Sequence, residues 1–126
     1  TNNRGVFYVG EYNYVFYTEG NKCFAMDFLI KLSEKEQGKV KYYLDLIKTR
    51  GPMIREPYAK KLNGSIYELR PSFGKTEIRL FYFWDGDTAW FVHGIIKKSQ
   101  KTPLEALLVS EQRMKRYFKA KSGNRL

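Results

Sequence analysis

Apolar and polar positions change their period along this chain, and each change predicts an element. VFYVGEYNYVFYTE, residues 6–19, is dense in β-branched and aromatic side chains. It predicts one or two strands, interrupted near Gly10-Glu11 and closed by Glu19-Gly20-Asn21. In CFAMDFLIKL, residues 23–32, apolar residues fall at 24, 25, 28, 29 and 32, the spacing of a helix. A second helix starts at Ser33, where Ser33 and Glu36 form the S-x-x-E pattern of a capping box. Val40, Tyr43, Leu44 and Ile47 then share one face, with Lys39, Lys41, Asp45 and Lys48 mostly opposite. Gly51-Pro52 ends this helix.

The second half reads differently. Residues 57–64 form a basic loop or short turn containing Lys60 and Lys61. Three strand-like runs follow: SIYELR (65–70), TEIRLFYFW (76–84) and TAWFVHGII (88–96). Short glycine-containing connectors, PSFGK and DGD, predict consecutive antiparallel hairpins. Thr102-Pro103-Leu104-Glu105 is a second capping box with proline at the first helical position. The last helix is expected over about 103–118, with 119–126 a frayed basic tail. The order β-α-α-β-β-β-α predicts one α+β domain over 1–126, a curved and mainly antiparallel sheet packed on helices.

Charge sharpens this picture. The chain carries a net +10, and residues 97–126 hold nine Lys/Arg against two Glu, or +7. Such a concentrated field attracts polyanions, most often nucleic acid; a solubilising helix or a surface met by an acidic protein is the plainer alternative. No apolar run reaches the ~18 residues of a membrane span, and no charged segment leads into an apolar one as in a secretory signal. With Cys23 the only cysteine, no internal disulfide can form, which fits a reducing cytoplasm.

The chemistry concentrates in the strands. Glu77, Arg79, Phe81 and Phe83 alternate onto one face of their strand, and Ile66, Glu68 and Arg70 share a face of theirs. A strand arginine buried alone is costly, so Arg79 is expected on a wet sheet face or in an ion pair. If Arg70, Arg79, Lys97 and Lys98 converge, they form a phosphate site, because guanidinium matches phosphate oxygens with paired hydrogen bonds. A lysine crowded by other cations also loses its proton more easily and can serve in proton transfer. His93, the only histidine, is a possible base, although a hydrogen-bonded strand histidine is the plainer reading. One His, one Cys and scattered carboxylates give no metal-ligand spacing. Asp85-Gly86-Asp87 is explained by a hairpin turn. Most of the aromatics are expected in the core, with Tyr67, Tyr82 and Trp90 needing partners for their polar atoms.

KLNGSIYELR (61–70), IRLFY (78–82) and VHGIIKKSQKTP (92–103) together resemble the HigB branch of the RelE-like toxins, phage-derived relatives included. The resemblance runs from about Tyr12 to Phe118. Residues 1–11 lie outside it, as an N-terminal extension or a cloning scar. It implies a compact β-α-α-β-β-β-α ribonuclease fold and the toxin half of a toxin–antitoxin pair. The implied activity is an endoribonuclease that cuts mRNA, typically on the ribosome. The implied partner is a helix-turn-helix, HigA-like antitoxin. No metal, organic cofactor or small-molecule ligand is implied. By resemblance Arg79 is the phosphate-binding arginine of the third strand, Arg70 closes the preceding strand, and Lys97 and Lys98 are the basic pair after the fourth. Lys61, Lys97 and Lys101 are expected on RNA, and Arg70, Arg79, Lys98 and His93 are the catalytic candidates. Ile66 and Glu68 stand where RelE has strand lysines, and no tyrosine stands near 103–108. The resemblance therefore leaves base and acid open among Lys61, Lys98 and His93. The same superfold includes ParE-like toxins, which act on gyrase and are not nucleases, and a catalytically inactive binding module is the other alternative.

Overall fold

The computed structural model describes residues 11–98 and 102–123. The first expected strand is seen as β1, Asn13–Phe16; its residues 6–10 lie outside the described residues. A two-stranded hairpin follows, β2 Thr18–Glu19 with β3 Lys22–Cys23, and leads into α1, Phe24–Leu29. The predicted capping box opens α2, Glu34–Arg50. Glu36 N donates to Ser33 Oγ at 3.1 Å and Ser33 N donates to Glu36 Oε1 at 2.9 Å. These bonds hold the Glu36 carboxyl below the usual carboxylate range. Gly51, at φ +55°, stops the helix; a Cβ there would run into the Tyr12 ring, so the close turn requires glycine.

The remaining elements are β4 Ala59–Lys61, β5 Tyr67–Leu69, β6 Ser72–Phe73, β7 Thr76–Asp85, β8 Thr88–Lys97 and α3 Leu104–Gly123. The main sheet has the order β1-β8-β7-β5-β4, with β6 also paired to β7. Pairing is antiparallel except for β1, which lies parallel to β8. The α+β class and the order of the main elements are as the sequence predicts, while β3 takes Cys23 from the helix expected over 23–32. Two short strands were hidden in predicted loops. In β4 two lysines face solvent on the edge of the sheet, a charge pattern that protects an edge strand and conceals it from a hydrophobicity reading. In β6, Ser72 pairs with Glu77 just after the Pro71 corner.

Helices cover the two faces of the sheet unequally. Ala25 and Leu29 of α1 and Val40, Tyr43, Leu44 and Ile47 of α2 pack on Ile78, Leu80, Tyr82 and Phe91. On the other face Ala106, Leu107, Met114 and Tyr117 of α3 pack with Ile66, Phe81, Phe83 and Val92. A register shift between Phe81 and Tyr82 leaves Val92 with no opposite partner, a bulge that keeps both faces apolar. The Asp85–Thr88 turn closes the β7–β8 hairpin around Gly86 at φ +62°, as the turn reading required. The last helix runs past the expected end at Phe118. Lys121 bonds Asp85 at 2.6 Å, and Tyr117 donates to the same carboxylate oxygen at 2.6 Å. An ion pair with a side chain across the domain therefore holds part of the segment expected to fray.

Candidate active site

On the α3 face, the sheet is apolar beneath the helix and charged beyond it. Strand alternation puts Glu68 of β5, Glu77 and Arg79 of β7 and Lys97 of β8 on this face, Glu77 opposite Lys97 and Glu68 opposite Phe81. Glu68 is the hub. It is 1% exposed, with Arg70 Nε 3.5 Å from Oε1 and Arg79 Nε 3.7 Å from Oε2. The Thr102 hydroxyl donates to Oε2 at 2.5 Å, tying the approach to α3 onto β5. Arg79 also donates from Nη2 to Glu77 Oε1 at 3.2 Å and from Nη1 to the Ile78 carbonyl at 2.8 Å. Arg70 reaches outward to Glu56 at 3.4 Å.

Of the two expectations for Arg79, the ion pair is correct and the wet face is not. Its side chain is 7% exposed, against 23% for Arg70. The cause is the carboxylate beside it: two buried opposite charges with further hydrogen bonds are tolerated where a lone arginine is not. Lys97 borders the same network. Its ammonium is held below the ordinary lysine range, first by partial burial and then by the positive charge of Arg79; Glu68 and Glu77 pull the other way. Arg70, Arg79 and Lys97 thus converge. Arg70 and Lys97 form the open flanks, and Arg79 with Glu68 forms the floor.

The other expected residues stand elsewhere. Lys98 is exposed, just past the end of β8. Lys61 is exposed on β4, with its ammonium 5.8 Å from the centre of the Tyr67 ring. Lys101 lies outside the described residues. His93 faces a separate recess. Arg113 Nη1 donates to its Nδ1 at 3.1 Å and to the Val92 carbonyl at 2.7 Å, so the imidazole proton sits on Nε2. Burial, and then the Arg113 charge, push the His93 pKa down to about 4. A histidine whose charged form is disfavoured by folding makes stability rise with pH. Its contribution is complete above an unfolded pKa of about 6.5 and is lost as pH falls towards 4. The expected result is that denaturant titrations of His93→Gln and the native chain between pH 6.5 and 4.5 diverge, the variant losing less stability. Parallel curves would mean that His93 is not held neutral.

Glu68 and Thr102 are the members of the site that sequence reasoning missed. Thr102 fits the capping pattern, which accounted for its hydroxyl too early. Glu68 stood in plain view, an acidic residue inside a strand two positions from Arg70 on the same face. The signal was its need for a buried cation.

The family model described as phage derived protein Gp49-like (DUF891) matches residues 27–115, from α1 through most of α3. The chain belongs to that family. The Gp49-like family is of the RelE/HigB-type toxin class, and its toxins are typically paired with an antitoxin. The matched stretch of this Gp49-like chain contains the whole Glu68 network. No curated protein matches the chain. Among the described residues of this Gp49-like domain, no three His, Cys, Asp or Glu side chains stand together as metal ligands, and no helix is long and apolar enough to cross a membrane.

Proposed function

We propose that this Gp49-like protein is a toxin of the HigB branch, a metal-independent endoribonuclease that cuts mRNA, on the ribosome, in the cytoplasm. Its partner is a helix-turn-helix antitoxin. The observation that carries this reading is the convergence of Arg70, Arg79 and Lys97 on one sheet face, around the buried Glu68. Cleavage without a metal needs a base for the 2′-hydroxyl, cations for the charge gained by the phosphorane, and a proton for the departing 5′-oxygen. Arg70 and Lys97 reach the phosphate from the open flanks. Arg79 adds charge from the floor and holds Glu68. For proton transfer, Lys97 is favoured over the exposed Lys98, because its surroundings already disfavour the ammonium form. Lys61, Lys98 and Lys101 extend the RNA contact.

The end groups of the products test this. Attack by the 2′-hydroxyl leaves a 2′,3′-cyclic phosphate, or a 3′-phosphate derived from it, and a 5′-hydroxyl. Cleavage should persist in EDTA at a concentration that leaves the ribosomal substrate assembled. Activity that disappears with EDTA and returns with a divalent cation sinks the mechanism. A second reading, a binding module without catalysis, draws on the burial of Arg79 and its engagement by Glu68, Glu77 and Ile78. Under that reading the chain still binds RNA or antitoxin, and no new RNA ends appear.

A further inference from the structure

A second cationic site lies at the part of β8 that β1 does not cover. Lys22 of β3, Phe24, Asp27 and Phe28 of α1, Lys31 just beyond it, His93 and Gly94 of β8 and Arg113 of α3 enclose a recess of about 260 Å³. Gly94 lets Phe28, one wall of the recess, pack directly on β8, since a Cβ there would strike its ring. Arg113 is its unusual member. The guanidinium carbon lies 3.4 Å from the centre of the Phe24 ring, and only Nη1 is engaged, by Val92 O and His93 Nδ1. Nε and Nη2 have no hydrogen-bond partner among the described residues and are not sealed from solvent. The next arginine on this helix behaves otherwise: Arg116 is held by both oxygens of Glu19, at 2.6 and 3.3 Å. That carboxylate also accepts from Tyr17 at 2.6 Å, so Glu19 is already occupied. Asp27 is 3.6 Å from Lys22. Three cations therefore meet one carboxylate in the lining of the recess, with the Glu19 charge acting on Arg113 from outside it, and a half-buried guanidinium keeps one edge of its fork free.

We propose that this recess binds a phosphate group, and that in the working protein the phosphate belongs to the backbone of a bound RNA strand. The free Nε–Nη2 edge of Arg113 presents the paired donors that phosphate oxygens match. Lys22 and Lys31 supply two further cations, and His93 Nε2 a neutral donor. Phosphate is favoured over a protein carboxylate by the surroundings: several donors converge on one position, and α3 continues past the recess with exposed Lys115 and Lys119. His93 lies four residues from Lys97 on β8, about 13 Å along the strand. An RNA following β8 would therefore cross both the Glu68 network and this recess. The RNA half of the proposal rests on the nuclease reading; the phosphate half does not.

His93 is the chain's only histidine, so its imidazole resonances report on the recess alone. Inorganic phosphate and a 2′-O-methyl RNA oligomer, which cannot be cleaved, are each titrated into the protein at pH 7 and low salt. Both should shift the His93 signals. Arg113→Gln also strips packing from Phe24, so the variant of choice is Lys22→Gln/Lys31→Gln, two exposed side chains. It should raise the half-saturation concentration of either ligand roughly tenfold, the scale of losing a charge-assisted contact, with thermal stability unchanged. His93 signals unmoved by both ligands overturn the site. RNA that binds without moving His93, while phosphate moves it, overturns the RNA assignment. Poly-glutamate that matches RNA at equal charge overturns it in favour of a protein partner. Phosphate that moves His93 in a protein that binds no RNA upholds the phosphate site and counts against the nuclease reading.

Discussion

Replacing Glu68 with alanine is expected to lower the melting temperature by about 10–20 °C, the largest stability loss available from one side chain in the network. The carboxylate is 1% exposed and faces Arg70, Arg79 and the Thr102 hydroxyl. Its removal leaves Arg79 buried, with the half-exposed Glu77 as its remaining carboxylate partner. Breaking a buried pair from one side typically costs about 3–5 kcal/mol, against total stabilities of about 5–15 kcal/mol. At this chain length each kilocalorie is worth a few degrees. The same change frees Thr102, so the first turn of α3 should loosen and its amides should exchange faster. Glu68→Gln keeps the shape and one acceptor and should cost less than alanine. Glu68→Leu combined with Arg79→Met should recover much of the loss, since two apolar isosteres leave no fully buried charge unpaired, Glu77 being half-exposed. Thermal denaturation of the four proteins settles it. An alanine variant melting within two or three degrees of the native chain would mean that solvent already screens this carboxylate.

The sequence made one half of this network visible and hid the other, for physical reasons. The elements themselves followed from periodicity, because α2 and the β7–β8 hairpin bury enough apolar side chains to stamp their spacing on the chain. The α2 capping box was legible because both of its partners lie three residues apart. Glu68 and Thr102 meet across 34 residues, and nothing local encodes such a bond. Arg79 was legible as a charge in a strand but not as a buried one. Burial there depends on Glu68, which β5 brings beside it, and that is a tertiary fact. Lys97 and Lys98 look alike in sequence. Only their positions at the end of β8 separate a half-buried, cation-flanked ammonium from an exposed one. The edge strand β4 was missed because its exposed lysines suppress the alternation that a strand otherwise displays.

Arg79→Ala is expected to reduce RNA cleavage about 10²–10³-fold, the scale of losing one preorganised donor to a developing oxyanion. Its burial changes how the experiment must be read. An arginine on a wet face would be removed at no structural cost, whereas this one also neutralises Glu68 and bonds Glu77 and the Ile78 carbonyl. Some stability should therefore be lost, though less than for Glu68→Ala, because Arg70 and Thr102 still hold the carboxylate. Activity is assayed well below the variant's own melting temperature, alongside Glu77→Gln. That second variant removes a partner of Arg79 while leaving the guanidinium against Glu68. If Arg79 acts on the phosphate, Glu77→Gln should keep most of its activity and Arg79→Ala should not. Arg79→Lys should recover only part, since a point charge cannot engage Glu68, Glu77 and a phosphate as the planar fork does. Antitoxin binding serves as the check on native structure. A folded, antitoxin-binding Arg79→Ala protein that still arrests growth and cuts mRNA at the native rate would falsify the phosphate role. It would leave Arg70 and Lys97, the open flanks, as the residues that meet the RNA.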